Sequence, residues 1–361
     1  MRKRYKLVAV LAAIVMLAAA CGNDTSDDNA GVDNGSAEGG DNGADGGGDG
    51  GDTGGDAGDE GDGGGGEAVD QTQGGDLTFN MITHSDDGPF WSVVKRGAEA
   101  AAADVGVTLI WNPGNNDPQV MVQDIEAAIA AGTDGIAASL PDPDALTGPL
   151  QRAVEAGIPV YTLNSGVDFY KEIGATTHIG QTEVVAGNGA GERFNAAGAQ
   201  HVLCVFQEEA NIGLNERCQG LEETFDGDVT VAFGGLDTDQ TAQENTINAI
   251  LAEDESIDAV LGTGPVIAIS ALRASQAVGR DAMIGGFDIT PEIIDAIEAG
   301  DIAFTVDQQQ YLQGYLPVIL MYLEVTNQNT AGGGLPVLTG PGFVTPDNAA
   351  EVKALVAAGT R

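Results

Sequence analysis

From Leu77 onward, short runs rich in Val, Ile and other strand formers alternate with longer stretches in which apolar residues recur every three or four positions. The runs at residues 77–82, 107–111, 135–139, 159–163, 201–206, 229–233, 259–261, 283–287 and 302–306 have the length and composition of buried strands. Between them, Phe90, Val93, Val94, Gly97, Ala98 and Ala101 fall on one face of a 3.6-residue period, as do Met121, Ile125, Ala128 and Ile129. Asp87-Gly88-Pro89, Asp117-Pro118 and Thr290-Pro291-Glu292 each set an acid or hydroxyl ahead of a proline-bearing first turn, which is how helices start. Gly106, Gly132, Gly279, Gly300 and Gly157-Ile158-Pro159 stand where helices would end and turn directly into strands. Strands alternating with helices over short connections predict an α/β fold with parallel sheets. Nine strands crowd a single doubly wound sheet, so the expectation is two doubly wound parallel-sheet lobes, divided near Ile179 and Gly180.

Open α/β sheets bind ligands beyond the carboxyl ends of their strands. That rule selects the loops at residues 84–91, 112–117, 139–144, 164–166, 207–217, 263–265, 288–290 and 307–311. His84 and His178 both fall near strand ends, within reach of such a site or as ordinary hydrogen-bonded histidines.

Ahead of this region the pattern changes twice. Met1-Arg2-Lys3-Arg4-Tyr5-Lys6 is followed by a 14-residue apolar run, 7–20, which is short for a membrane span and suited to the core of a secretory signal. The run closes on Leu17-Ala18-Ala19-Ala20-Cys21-Gly22, which resembles the lipobox of bacterial lipoproteins, with Ala18 where a larger aliphatic residue is usual. The resemblance implies that residues 1–21 are a signal peptide and lipobox and that Cys21 carries lipid; cleavage after Ala20 or an uncleaved anchor are the alternatives. Residues 22–75 hold 21 glycines and 15 acidic residues with no aromatic and no Lys or Arg, so burial cannot offset chain entropy. Residues 22–76 are therefore expected to be a disordered linker with a mean span of about 40 Å. Asp45-Gly46-Gly47-Gly48-Asp49 lacks the regularly placed apolar residue of calcium-binding Gly-Asp repeats, so no metal site is expected there.

The net charge of −41 repels phosphate backbones and argues against nucleic-acid binding; salinity or solubility would each account for it. Apart from Cys21 there are two cysteines, Cys204 and Cys218, in what would be an exported domain. A disulfide between them would brace a strand against the next helix, and two buried free thiols are the alternative.

Several loops, in order, resemble the sugar-binding solute-binding proteins of ABC importers, the ribose-binding or type I periplasmic-binding-protein class. The motifs are Pro89-Phe90-Trp91 with Gly97-Ala98, Gly157-Ile158-Pro159-Val160-Tyr161-Thr162-Leu163-Asn164, Glu216-Arg217-Cys218-Gln219-Gly220 and Ile284-Gly285-Gly286-Phe287-Asp288. The resemblance covers Leu77 to the C-terminus and implies two lobes joined by a three-segment hinge, with lobe one at 77–179 and 309–336 and lobe two at 180–308 and 337–361.

By the same resemblance, Phe90 and Trp91 stand where the family stacks aromatics on its ligand, unless they are core residues of the first helical turn. Asn164 takes a position the family fills with a carboxylate, and an amide there both donates and accepts. Asp288 matches the second-lobe carboxylate, with helix capping toward Pro291 as the alternative. Gln308 matches the amide at the hinge edge, and Asp307 and Gln309 are near enough to exchange roles with it. Asn215 falls where many relatives carry a ligand-binding arginine, while Arg217 either contacts ligand or holds the loop. Gly264, within Thr263-Gly264-Pro265, replaces an Asn-Asp pair, so backbone groups or a larger ligand would fill the space.

The resemblance implies a monomeric, lipid-anchored protein outside the cytoplasmic membrane that captures a sugar or polyol and delivers it to an ABC permease. A sensory protein presenting such a ligand to a membrane receptor would have the same cleft. An enzyme is disfavoured, since the chain has no Gly-x-Ser-x-Gly elbow, phosphate-binding loop or close metal cluster, and no cofactor is expected.

Overall fold

The computed structural model describes residues 74–86 and 88–361. The leader, Cys21 and the linker up to residue 73 lie outside the described residues, as does Asp87.

The chain order begins β1 (Thr78–Thr83), α1 (Gly88–Val105), β2 (Thr108–Pro113), α2 (Pro118–Ala131), β3 (Gly135–Ser139), α3 (Pro143–Glu155), β4 (Val160–Asn164), α4 (Tyr170–Ile173) and β5 (Thr177–Gly180). A second series follows: α5 (Glu183–Ala197), β6 (His201–Phe206), α6 (Ile212–Thr224), β7 (Asp228–Phe233), α7 (Gln240–Glu253), β8 (Ala259–Gly262), α8 (Pro265–Ala277), β9 (Met283–Phe287), α9 (Pro291–Ala299) and β10 (Phe304–Asp307). The chain ends with α10 (Gln310–Asn327), β11 (Val337–Leu338), β12 (Gly342–Val344) and α11 (Ala349–Ala358). The two six-stranded sheets have equivalent orders, β11-β5-β4-β3-β1-β2 and β12-β10-β9-β8-β6-β7. All pairings are parallel except that of β12 with β10.

Alternate residues of each strand feed opposite faces, so each sheet is covered by apolar side chains on both sides. In lobe one, Phe79, Met81, Ala137 and Tyr161 pack toward α1 and α10, whereas Ile82, Ile136, Ala138 and Val160 pack toward α2 and α3. Lobe two repeats this with Val202, Cys204 and Leu261 toward α5 and α6, and Leu203, Val205 and Val260 toward α7, α8 and α9. The sequence caps act as read: Asp117 accepts from the Gln119 N–H at 2.8 Å, and Thr290 accepts from the Ile293 N–H at 3.1 Å.

Two helix pairs touch backbone to backbone. A Cβ on Gly314 of α10 would lie 1.8 Å from the Val94 carbonyl oxygen of α1, and one on Gly97 would lie 2.2 Å from that of Tyr311. In lobe two, Gly187 of α5 and Gly220 of α6 stand in the same relation, 2.2 Å from the Arg217 oxygen and 2.1 Å from the Val184 oxygen. Only residues without a side chain permit such approach.

All nine expected strands are present, three with the expected ends and six with ends shifted by one or two residues, and three more appear. The additional β5, β11 and β12 have four, two and three residues, and the two shortest exist through pairing with neighbours rather than through a β-branched run of their own. β11 corrects the expected last crossing. Val337 and Leu338, assigned to lobe two from the sequence, pair with Ile179 and Gly180 of β5, so the chain changes lobes after Leu338.

The three crossings are thus the segments after β5, after β10 and between β11 and β12. They are tied together: the Thr339 N–H donates to the Gly180 oxygen at 2.7 Å, and Gln309 Nε2 donates to the Thr339 oxygen at 2.7 Å. Asp307 is fully buried and accepts from the Gln309 N–H and from Arg361 Nε, both at 2.8 Å. Asp307 and Gln309 therefore serve the hinge, and Gln308 between them faces the cleft.

Candidate functional site

The carboxyl ends of the strands in both sheets converge on a cavity of about 240 Å³ between the lobes. Lobe one contributes His84 after β1, Phe90 and Trp91 from the first turn of α1, Asn115 and Asn116 after β2, and Asn164 at the end of β4. Lobe two contributes Gln207 and Asn211 after β6, Arg217 from α6, the Leu236–Thr238 loop after β7, Pro265 of α8 and Asp288 after β9. Gln308 enters from the hinge.

Trp91 is edge-on to both His84 and Phe90, with ring centroids 4.7 and 5.0 Å apart. Core packing and cleft exposure are both realised here, since Trp91 is 5% exposed within the lobe-one core and still lines the cavity. His84 is buried, and burial holds its pKa below the usual histidine value; Glu208 opposes this and Arg217 adds to it. Burial and Arg217 thus favour the neutral ring. Its Nδ1 shares a 2.9 Å hydrogen bond with Ser139 Oγ.

Across the cavity, Arg217 is held on three sides. Nε and Nη2 donate to the two carboxylate oxygens of Glu183 at 2.6 and 3.1 Å, and Nη1 donates to the Thr263 oxygen at 2.6 Å. The guanidinium also lies over the Phe287 ring, 4.5 Å from its centroid. Three of its five donors are used, so Arg217 both holds the α6 loop and presents N–H groups to the cleft. Cys218, the next residue, is disulfide-bonded to Cys204 of β6, which fastens this turn of α6 to the sheet.

Asp288 accepts from Gln308 Nε2 at 2.7 Å and lies 3.8 Å from Arg217 Nη1. Burial pushes its pKa up to about 7 against the pull of Arg217 and Gln308. It does not cap α9, since Thr290 performs that role. Gln308 Oε1 accepts from Gln313 Nε2 at 2.7 Å and lies 3.5 Å from Asn164 Nδ2, which also donates to Gln313 Oε1 at 3.2 Å. A chain of amides thus runs from one lobe's carboxyl-end residue to the other's.

The lobes also meet directly. The Ile212 N–H donates to the Pro141 oxygen at 3.0 Å, and Ser165 Oγ donates to Asn211 Oδ1 at 3.0 Å. Among the described residues, no three His, Cys, Asp or Glu side chains gather to hold a metal ion.

Residues 79–329 match the family described as periplasmic binding protein domain. The chain belongs to the periplasmic binding protein family. Among solved relatives, a carbohydrate transporter from Acidothermus cellulolyticus 11B, crystallised in complex with myo-inositol, is 42% identical with a TM-score of 0.77, covering 79% of this chain and 99% of that one. The xylose/arabinose-binding protein XylF of Sulfolobus acidocaldarius is 30% identical, over 74% of this chain and 71% of its own. The ribose import binding protein RbsB of Haemophilus influenzae is 27% identical, over 70% of this chain and 87% of its own. The two-lobed, mostly parallel architecture is that of the type I periplasmic binding proteins.

In this periplasmic binding protein, the cavity gathers His84, Phe90, Trp91, Asn164, Arg217, Asp288 and Gln308. Asn215 and Gly264 stand elsewhere. Asn215 is exposed on α6, with Nδ2 donating to the Asn211 oxygen at 3.3 Å; one helical turn earlier, Asn211 lines the cavity instead. The space beside Gly264 is taken by Gln207, whose Nε2 lies 2.5 Å from where a Cβ would stand and whose Oε1 accepts from Thr263 Oγ1 at 2.9 Å. Gln207 thus occupies the gap that the sequence left for backbone or ligand. His178 is fully buried beside Thr162 and does not line the cavity.

Sequence reasoning passed over the 236–238 loop. The strand ahead of it was legible, and the carboxyl-end rule applied to that strand points to Leu236, Asp237 and Thr238.

Proposed function

We propose that this protein captures a neutral cyclic polyol or sugar between its lobes and delivers it to an ABC permease. The supporting observation is the cavity itself: two aromatic rings on one wall face amides and a carboxyl group on the other. A polyol ring has apolar C–H faces for the rings and a hydroxyl rim for groups that both donate and accept. Asn164, Gln207, Asn211 and Gln308 are such groups. Among the described residues, the one guanidinium lining the cavity is already neutralised by Glu183, so they offer no unpaired cation to an anionic ligand. The complex of the Acidothermus relative with myo-inositol supports a six-membered polyol ring as the first ligand to test.

A ligand touching both walls adds free energy to the arrangement in which the lobes meet, so closure follows from differential binding. In this reading the protein works outside the cytoplasmic membrane, Cys21 carries the lipid anchor, and residues 22–76 are the tether that keeps the lobes near the permease.

The purified chain should melt at a higher temperature with its ligand than without it. A screen of myo-inositol, pentoses, hexoses and alditols that raises the melting temperature with none of them would reject the reading. Incorporation of labelled fatty acid, abolished by Cys21→Ser, tests the anchor separately.

A further inference from the structure

A second cavity, of about 430 Å³, adjoins the first and shares His84, Asn116, Glu208, Asn211 and Leu236 with it. Beyond that shared wall its lining is mostly apolar, with Pro118, Met121, Pro141, Ala210 and Phe233, and Glu209 is the one charged residue among them. Pro118, Met121 and Pro141 come from lobe one and the others from lobe two, so this compartment, like the first, exists only with the lobes together.

The apolar part of this lining offers a bare polyol no hydrogen-bond partner. A hydroxyl placed against Met121 and Phe233 loses its hydrogen bonds to water without replacement, whereas each methylene buried there is favourable by the ordinary hydrophobic effect. The partition between the compartments is loose on its polar side. His84 Nε2 lies 3.4 Å from Asn211 Nδ2 and 3.5 Å from Glu208 Oε2, longer than strong hydrogen bonds, whereas Asn211 Nδ2 donates to Glu208 Oε2 at 2.7 Å, so the weak seam runs between His84 and the Asn211–Glu208 pair. Leu236, half exposed, stands at the border of both spaces.

We infer that the natural ligand is a cyclic polyol or sugar bearing an O-alkyl or O-aryl substituent, with its ring in the polar cavity and the substituent in the apolar annex. This rests on the reading of the cleft as a polyol site. The ether oxygen would pass between His84 and Asn211.

The test is calorimetric titration of the purified chain with bare rings (myo-inositol, D-xylose, D-ribose) and with their O-methyl and O-phenyl derivatives. A buried methyl group should tighten binding about fourfold, and an aryl group more than tenfold. Phe233 and Ala210 line the annex and not the polar cavity, so Phe233→Ala and, separately, Ala210→Asp should each erase that gain and leave the bare ring within about twofold. Ala210 is exposed, so its variant is expected to fold, which its melting temperature checks. If a bare ring binds and no derivative binds more tightly, or if the gain survives either folded variant, the annex proposal is overturned while the polyol reading stands. If no ring binds, bare or substituted, the reading of the cleft fails and this proposal fails with it.

Discussion

Asn164 and Asp288 occupy equivalent stations in the two lobes, at the carboxyl ends of β4 and β9, and both have left-handed backbones with φ of 63° and 66°. Gln308 stands between them, 2.7 Å from Asp288 and 3.5 Å from Asn164. Two non-glycine residues in this conformation, both lining the cleft, place backbone strain at the cavity wall.

That relationship gives a paired prediction. Asn164→Gly removes the side chain and keeps the backbone comfortable, whereas Asn164→Ala imposes the left-handed penalty on a Cβ. The alanine variant should be less stable than the glycine variant by about 1–2 kcal/mol, read by urea denaturation. Both should bind ligand more weakly than the parent. Equal stability would mean the backbone at this position relaxes.

Arg217 and Glu183 form a buried ion pair, with side chains 5% and 1% exposed. Arg217→Met leaves the Glu183 carboxylate buried without its partner, and the expected loss of stability is about 3–5 kcal/mol. Replacing both with Met should recover most of it. A single variant as stable as the parent would show that water or rearrangement already serves Glu183.

Asp288 makes stability depend on pH with a definite sign. Its folded pKa is raised to about 7 from an ordinary 3.8, chiefly by burial. Between these values the folded chain holds more protons than the unfolded chain, so stability falls as pH rises through the window. Glu216, raised to about 7, and Asp237, raised to about 6, act in the same direction. His178, lowered to about 3 by burial, acts oppositely, removing stability as pH falls below 6.5. Asp288→Asn isolates one contribution: its melting temperature relative to the parent should climb from pH 4 to pH 7. A difference that stays flat with pH would show that Asp288 is ionised throughout.

Gly314→Ala tests the backbone contact of α10 with α1. A methyl group 1.8 Å from the Val94 oxygen forces the helices apart, at a cost of about 1–3 kcal/mol or more. Thermal melting reads the loss, and an unchanged midpoint would contradict the close approach.

The sequence alone determined the larger part of this protein. Alternating periodicities, proline-led helix starts and glycine ends located all nine expected strands, and the carboxyl-end rule then marked the loops that bear Trp91, Asn164, Arg217 and Asp288. These signals are local, since they depend on backbone preferences and on which face of an element is apolar. β11 and β12 carry no such signal, because strands of two and three residues are defined by the neighbour that supplies their hydrogen bonds, and β5 is placed by its pairing with β4 and β11. The same holds at the site. The family resemblance pointed to Asn215 and to a void at Gly264, whereas helix rotation turns Asn215 outward, Asn211 reaches the cavity from the start of α6, and Gln207 from another strand fills the void. Only tertiary packing decides these, because which side chain reaches a shared space depends on elements distant in the chain.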